Sequence, residues 1–190
     1  MDLIHRYQAG DESAFADLFE QYKNLVFKTA YLMLGTTEEA EDALQEVFLK
    51  VHRSLATYQS TKGAFTTWLH RLTVNHCLNQ KRKRQLPLLP LQEIMGLGDV
   101  RPIWTERLAD EELLQQALTH LSDKQRAVII LRYYWDLPYL EIAQILDIPL
   151  GTVRSRLNTT MKLLHQILSK MDAPTPSATA PLALNQGGSE

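Results

Sequence analysis

Six side chains toward the C-terminal end of this 190-residue chain are of the kinds that read DNA: Thr152, Arg154, Ser155, Arg156, Asn158 and Lys162. An arginine can grip guanine through two hydrogen bonds, and an asparagine can do the same for adenine. Thr152 and the free N–H groups at a helix start suit a phosphate. These residues open the second of two short helical patterns within 138–157, separated by a tight turn. That is the plan of a helix-turn-helix, whose second helix enters the major groove. Ala143 is small enough for the two helices to approach closely, and Ile142, Ile145, Leu146, Ile148, Val153 and Leu157 can fill their shared core. From Ile148 to Met171 the formal charges are all positive: Arg154, Arg156, Lys162 and Lys170. An ordinary helical hairpin with a solvated face would more often mix the signs.

A second set lies far upstream, in Tyr58–Arg84. Aromatic residues beside bases on a helix suit single-stranded DNA, because bases stack and phosphates pair; each stacked base is worth roughly 1–3 kcal/mol. Arg71, Asn75 and Asn79 could meet base edges or phosphates. Phe65 and Trp68 also fit an apolar helix face, where an aromatic at helical spacing is usually core. Lys81-Arg82-Lys83-Arg84 repel one another unless a polyanion screens them. No acid occurs between Thr66 and Gln92.

Other chemistries lack their parts. The six histidines form no ligand pair at metal-binding spacing with a supporting carboxylate. No Gly-rich phosphate loop or Gly-x-Ser-x-Gly elbow is present. No metal site, cofactor or catalytic residue is expected. His70 and His76 read as surface or boundary positions, and Cys77, the one cysteine, as a small packed apolar group. A single cysteine allows no intramolecular disulfide, which fits a reduced compartment. No apolar run approaches the ~20 residues that span a bilayer, and Met1–Arg6 lacks the plan of a signal peptide. The chain reads as cytoplasmic, without membrane insertion. The formal net charge is only −2, but the charge is segregated: Glu38, Glu39, Glu41, Asp42 and Glu46 form an acidic block opposed to the basic ones. Taken alone, that acidic face signifies no more than solubility.

The elements that must position these residues all read as helices. Asp11–Gln21 is amphipathic, and Asn24–Leu34 is apolar all round and stopped by Gly35. Thr36 with Glu39 forms a capping-box signature for a helix to about Leu55. A turn-rich loop, Ala56–Ala64, precedes a helical pattern over Phe65–Arg84. Pro87, Pro90, Gly96, Gly98 and Pro102 then break the period. Glu106–Leu121 is helical again, and Ser122 with Gln125 opens a further helix to about Trp135. The expected fold is all-α: an N-terminal helical domain (1–85), a greasy linker (86–105), a helix-turn-helix domain (106–171) and a tail (172–190) with little to bury.

Four segments in order, Glu39–Phe48, Gly63–Asn75, Leu121–Arg126 and Ile148–Leu157, resemble the sigma-70 family of bacterial RNA polymerase sigma factors. The short two-domain plan is similar to the extracytoplasmic-function (ECF) group, and the likeness covers roughly Ala9–Ile167. The resemblance implies roles by position. Asp42, Gln45 and Glu46 would dock on the clamp coiled coil of the β′ subunit of core RNA polymerase, with further contacts to the β subunit. Tyr58, Lys62, Phe65, Trp68, Arg71, Asn75, Asn79 and Arg82 would capture and melt the −10 promoter element. Thr152, Arg154, Ser155, Arg156, Asn158 and Lys162 would read the −35 element as duplex. An anti-sigma factor is a further partner that the family commonly has. The chain departs from the family pattern at Thr159 and Met161, where arginines are common in the last helix. It departs again at Pro138, where a capping hydroxyl is usual. The competing expectation is a stand-alone, dimeric helix-turn-helix regulator of transcription.

Overall fold

The computed structural model describes residues 3–85 and 115–171, all the regular structure among them being helical. The expected linker (86–105), the start of the second domain (106–114) and the tail (172–190) lie outside the described residues.

Helix α1 spans Leu3–Gln8, a segment with no strong periodic signal of its own. Helix α2 runs unbroken from Ser13 to Leu34, where the sequence suggested two helices. Gln21-Tyr22-Lys23-Asn24 contains neither Gly nor Pro, so nothing interrupts the hydrogen-bond ladder. Gly35 ends it at φ 108°, a left-handed conformation that a side chain would strain, and its N–H donates to Tyr31 O. Helix α3 spans Thr37–Leu55; the Thr36 hydroxyl accepts from the Glu39 N–H at its start. A 3₁₀ turn, Ser60–Lys62, leads to α4, Phe65–Gln85.

In the second domain, helical residues 115–119 (α5) precede α6, Asp123–Ile129. Both halves of the predicted capping box form at α6: Ser122 Oγ accepts from Gln125 N, and Gln125 Oε1 accepts from Ser122 N. The helix does not run on regularly to Trp135. It widens into a π-turn over Ile130–Tyr134, which Trp135 N closes on Ile130 O at 3.1 Å. Helices α7 (Tyr139–Leu146) and α8 (Leu150–Met171) form the helix-turn-helix. Pro138 stands at the N-cap of α7 with no side-chain cap, as its lack of a hydroxyl dictates.

Two apolar clusters hold the chain. One lies within the N-terminal domain and joins α1–α4 through Ile4, Leu18, Val26, Val47, Val51, Leu55 and Leu69. The other crosses between the domains: Ala30 and Met33 of α2 and Val74 and Cys77 of α4 pack with Leu118, Val128, Leu131 and Ile142. Each Val, Leu, Ile or Met side chain so buried contributes about 1.5–3 kcal/mol of transfer free energy. The two domains are therefore docked on one another, which no local pattern foretold.

Polar contacts complete the docking, and one set of them converges on the last turns of α2. Arg126, 5% exposed, donates from Nη1 to Met33 O at 2.9 Å and from Nε and Nη2 to Leu118 O at 3.0 and 2.6 Å. One guanidinium thus caps the carbonyl ends of two helices, where a cation is favoured by the helix dipole. Gln115 Nε2 donates to Tyr31 O at 2.7 Å, and Trp135 Nε1 donates to Thr29 Oγ1 at 2.9 Å. His70 is the clearest correction. Expected at the surface or boundary, it is 2% exposed, because Trp135 of the second domain covers it edge-on at 5.2 Å. Burial pulls its pKa down to about 4, so the ring is neutral.

Candidate nucleic-acid interface

The 3.6-residue period of α4 brings Arg71, Asn75, Asn79 and Arg82 onto one exposed stripe. Four amide or guanidinium groups in line can follow a strand, donating to phosphates and base edges. The opposite side of the helix carries the buried His70, Thr73, Val74 and Cys77. Burial pushes the Cys77 thiol up to about 12, which removes it from nucleophilic chemistry at neutral pH. His76 is half-buried, 2.9 Å from Lys50 Nζ; burial first, and then the Lys50 charge, lower its pKa.

At the head of the stripe stand three aromatic residues. Trp68 is half-buried, its ring 5.4 Å from Tyr58 and 5.5 Å from Phe65. Phe65 is 8% exposed, with Tyr58 edge-on at 5.6 Å and Tyr22 at 5.0 Å, so it supports the cluster from beneath. Tyr58 is pinned by its hydroxyl, which donates to Gly63 O at 2.7 Å. Gln8 holds the loop from below through Leu55 O and Tyr58 O at 3.0 and 2.8 Å. Lys62 closes the 3₁₀ turn of the same loop. Beside Tyr58, Trp68 and Arg71 lies an open cavity of about 610 Å³, whose far wall is Gln144 and Asp147 of the second domain.

On α3, Asp42, Gln45 and Glu46 share one exposed face. Leu49 continues it one turn on and is 52% exposed. Sequence reasoning passed over Leu49 because leucine is presumed core; its register with residues 42, 45 and 46 was the available signal.

On α8, Arg154, Ser155, Asn158 and Lys162 are exposed, while Thr152 and Arg156 are half-buried. Residues 154, 158 and 162 recur at four-residue intervals and form a stripe directed away from the buried Val153 and Leu157. Thr160 is wholly buried, its hydroxyl donating to Arg156 O at 2.6 Å. The turn before α8 is set by Asp147 at φ 53°, ψ 50°, and by Ile148 N donating to Ala143 O at 3.1 Å. Three acids of the second domain also went unread: Asp123, Glu141 and Asp147 all reach α4. Among the described residues no group of three or more His, Cys, Asp or Glu could hold a metal ion, and no helix is long and apolar enough to cross a membrane.

Comparison with known proteins bears directly on these surfaces. Residues 18–86 match the Sigma-70 region 2 family and residues 111–164 the Sigma-70 region 4 family. The chain is 32% identical over 178 residues to the ECF RNA polymerase sigma factor SigW of Bacillus subtilis, covering 87% of this chain and 94% of that one. It is 30% identical over 172 residues to SigM of Mycobacterium tuberculosis, covering 90% and 85%. Among solved structures, CnrH in complex with the cytosolic domain of CnrY superposes with a TM-score of 0.67 at 19% identity, over 88% of this chain and 96% of that one. The sigma factor RpoE in complex with the anti-sigma factor NepR, from Bartonella quintana, gives 0.62 at 21% over 82% and 96%. The two structures speak for the fold. Both family regions occur in one chain and in order, which sets aside a stand-alone dimeric regulator. With these two regions, and with relatives at this identity over most of their length, the chain belongs to the sigma-70 family, among the ECF RNA polymerase sigma factors.

Proposed function

We propose that this chain is a dissociable specificity subunit whose two domains divide the promoter between them. Asp42, Gln45 and Glu46, with Leu49 beside them, dock on the clamp coiled coil of the polymerase β′ subunit, and the second domain adds contacts to β. The stripe Arg71, Asn75, Asn79 and Arg82 follows the non-template strand of the −10 element. Tyr58 and Trp68, supported by Phe65 and aided by Lys62, receive its unpaired bases. Stacking of roughly 1–3 kcal/mol per base favours the open form of the promoter. Arg154, Ser155, Asn158 and Lys162 enter the major groove at the −35 element, with Thr152 and Arg156 at the phosphates. No bond is made or broken by this chain, no cofactor takes part, and it works in the cytoplasm. An anti-sigma factor is the natural antagonist, since RpoE, a relative by fold, is seen with the anti-sigma factor NepR bound.

One observation carries this reading: two exposed stripes of amide and cationic side chains lie on α4 and α8, one in each matched region. Run-off transcription with core polymerase and genomic DNA tests it. Promoter-specific transcripts that require the chain are expected. Specific duplex binding by the chain alone, with no effect on core polymerase, would overturn it.

A further inference from the structure

Helix α1 stands ahead of both matched regions, which begin at residues 18 and 111. Its last residue nevertheless reaches the loop that carries Tyr58. Gln8 Nε2 donates to Leu55 O at 3.0 Å and to Tyr58 O at 2.8 Å, 47 and 50 positions further along the chain. A primary amide nitrogen carries two hydrogens, so one group can serve both carbonyls. Leu55 is the last residue of α3. Tyr58 N closes the turn beyond it on Leu55 O at 3.2 Å, and Thr57 N and Oγ1 close on Ser54 O at 3.2 and 3.1 Å. The Gln8 amide therefore grips both ends of the turn by which the chain leaves α3.

The arm that presents Gln8 is itself anchored. Ile4, 6% exposed, is buried in the first apolar cluster. The Tyr7 ring lies 5.9 Å from Phe15 of α2 and 5.9 Å from His52 of α3. Arg6 forks onto Asp11 Oδ2 from Nε and Nη2 at 2.9 and 2.7 Å, and its Nη1 reaches Asp17 Oδ2 at 3.3 Å. Ile4 and Tyr7 supply most of the hold, since exposed ion pairs add little. On the far side of the turn, Tyr58 lines two cavities. One, of about 610 Å³, also carries Trp68 and Arg71; the other, of about 350 Å³, carries Ile4, Tyr22 and Phe65. Gln8 lines neither. A ring that receives a base must be held within about 0.5 Å and about 10–20° of its productive pose.

We propose that Gln8 is a positioning residue for base capture: α1 is a brace that sets the Tyr58 ring through two main-chain carbonyls and touches no DNA itself. This rests on the reading of Tyr58 and Trp68 as the seat of unpaired bases. With the brace in place the ring is preorganised, and the strand meets it without an ordering cost. Without it the loop spends time with the ring turned away, and apparent affinity falls by the fraction of chains still correctly set. Each ordinary hydrogen bond shifts such an equilibrium by a factor of roughly 2–10.

The test uses holoenzyme reconstituted from core polymerase and the full chain. The probe is a fluorescein-labelled oligonucleotide carrying the non-template strand of a −10 element recovered by run-off transcription. Gln8→Met keeps the reach of the side chain and removes its donors at an exposed position. Strand affinity is expected to fall about fivefold to tenfold, with co-elution of chain and core polymerase unchanged, since that depends on α3. Tyr58→Ala keeps the carbonyl and removes the ring. In that background Gln8→Met is expected to cost less than about twofold, because the brace then has nothing to set. A general loosening of the domain would cost the same factor in both backgrounds. Equal losses in the two backgrounds, a Gln8→Met affinity within about twofold of the unmodified chain, or loss of co-elution overturns the proposal. A weakened Tyr58→Ala holoenzyme beside an unaffected Gln8→Met one counts against the brace alone, whereas full strand affinity in Tyr58→Ala counts against the seat of the bases itself.

Discussion

Arg126→Met removes the guanidinium that joins the ends of α2 and α5 while keeping an unbranched, apolar side chain of similar reach. Three charge-assisted hydrogen bonds are lost, two to Leu118 O and one to Met33 O. Met33 O is left unmet at a cost of about 1–3 kcal/mol, while Leu118 O keeps the Leu121 N–H at 3.1 Å but loses two charge-assisted bonds of about 1.5–3 kcal/mol each. Relief of the buried charge offsets part of this, since desolvation holds the Arg126 pKa below its ordinary value. A net loss of about 2–4 kcal/mol follows. For a chain of this size each kcal/mol moves Tm by roughly 2–4 °C, so a fall of about 10 °C is expected. Circular dichroism at 222 nm on matched preparations measures it. Arg126→Lys should fall in between, because an ammonium cannot fork between two carbonyls. A methionine variant melting within about 2 °C of the unmodified chain would refute the capping argument, and with it the view that this residue ties the domains.

Four further outcomes are expected. Arg154→Ala should weaken upstream promoter recognition by the holoenzyme by about 1–3 kcal/mol in a competition gel shift, and unchanged binding would remove Arg154 from the reading face. Leu49→Ser should reduce co-elution with core polymerase on a sizing column with Tm unchanged, because the side chain is 52% exposed and supports no core. His70 takes up a proton in the unfolded chain below about pH 6.5 but resists it in the fold down to about 4. The unfolded state therefore binds more protons across that window, and stability falls as pH drops through it. Between pH 7.5 and 5.5 the loss is roughly 1 kcal/mol in urea unfolding, and His70→Phe should abolish that part of the slope. Cys77, wholly buried with its thiol at about 12, should react with Ellman's reagent at pH 8 only after urea is added; rapid labelling of the native chain would show that the interdomain cluster opens readily.

Local rules reached most of the individual helices. Thr36, Gly35 and the Ser122–Gln125 pair act through backbone groups within four residues, so their effect is visible in a short window of sequence. The same holds for the register of α4 and α8, where a period of 3.6 residues sorts Arg71, Asn75 and Asn79 from Leu69, Thr73 and Cys77. What remained hidden depends on partners far along the chain. His70 is an unremarkable polar residue until Trp135, 65 positions later, covers it. Nothing local marks Arg126 as a buried group, because its acceptor Met33 O is a backbone atom 93 residues away. Asp147 looks like a turn residue and turns out to be a carboxylate facing Arg71. The division of labour along the promoter follows from side-chain type and exposure, while the docking of the two domains follows from shape, which no period encodes.

Hydroxyl-radical footprinting tests the division of labour most directly, on a promoter fragment recovered by run-off transcription from genomic DNA. With core polymerase and this chain together, two protected patches about 25 base pairs apart are predicted, the downstream one with unpaired thymines reactive to permanganate. Neither core polymerase nor the chain alone should give them. A single symmetric footprint from the chain alone, or an upstream patch without any downstream opening, would contradict the account.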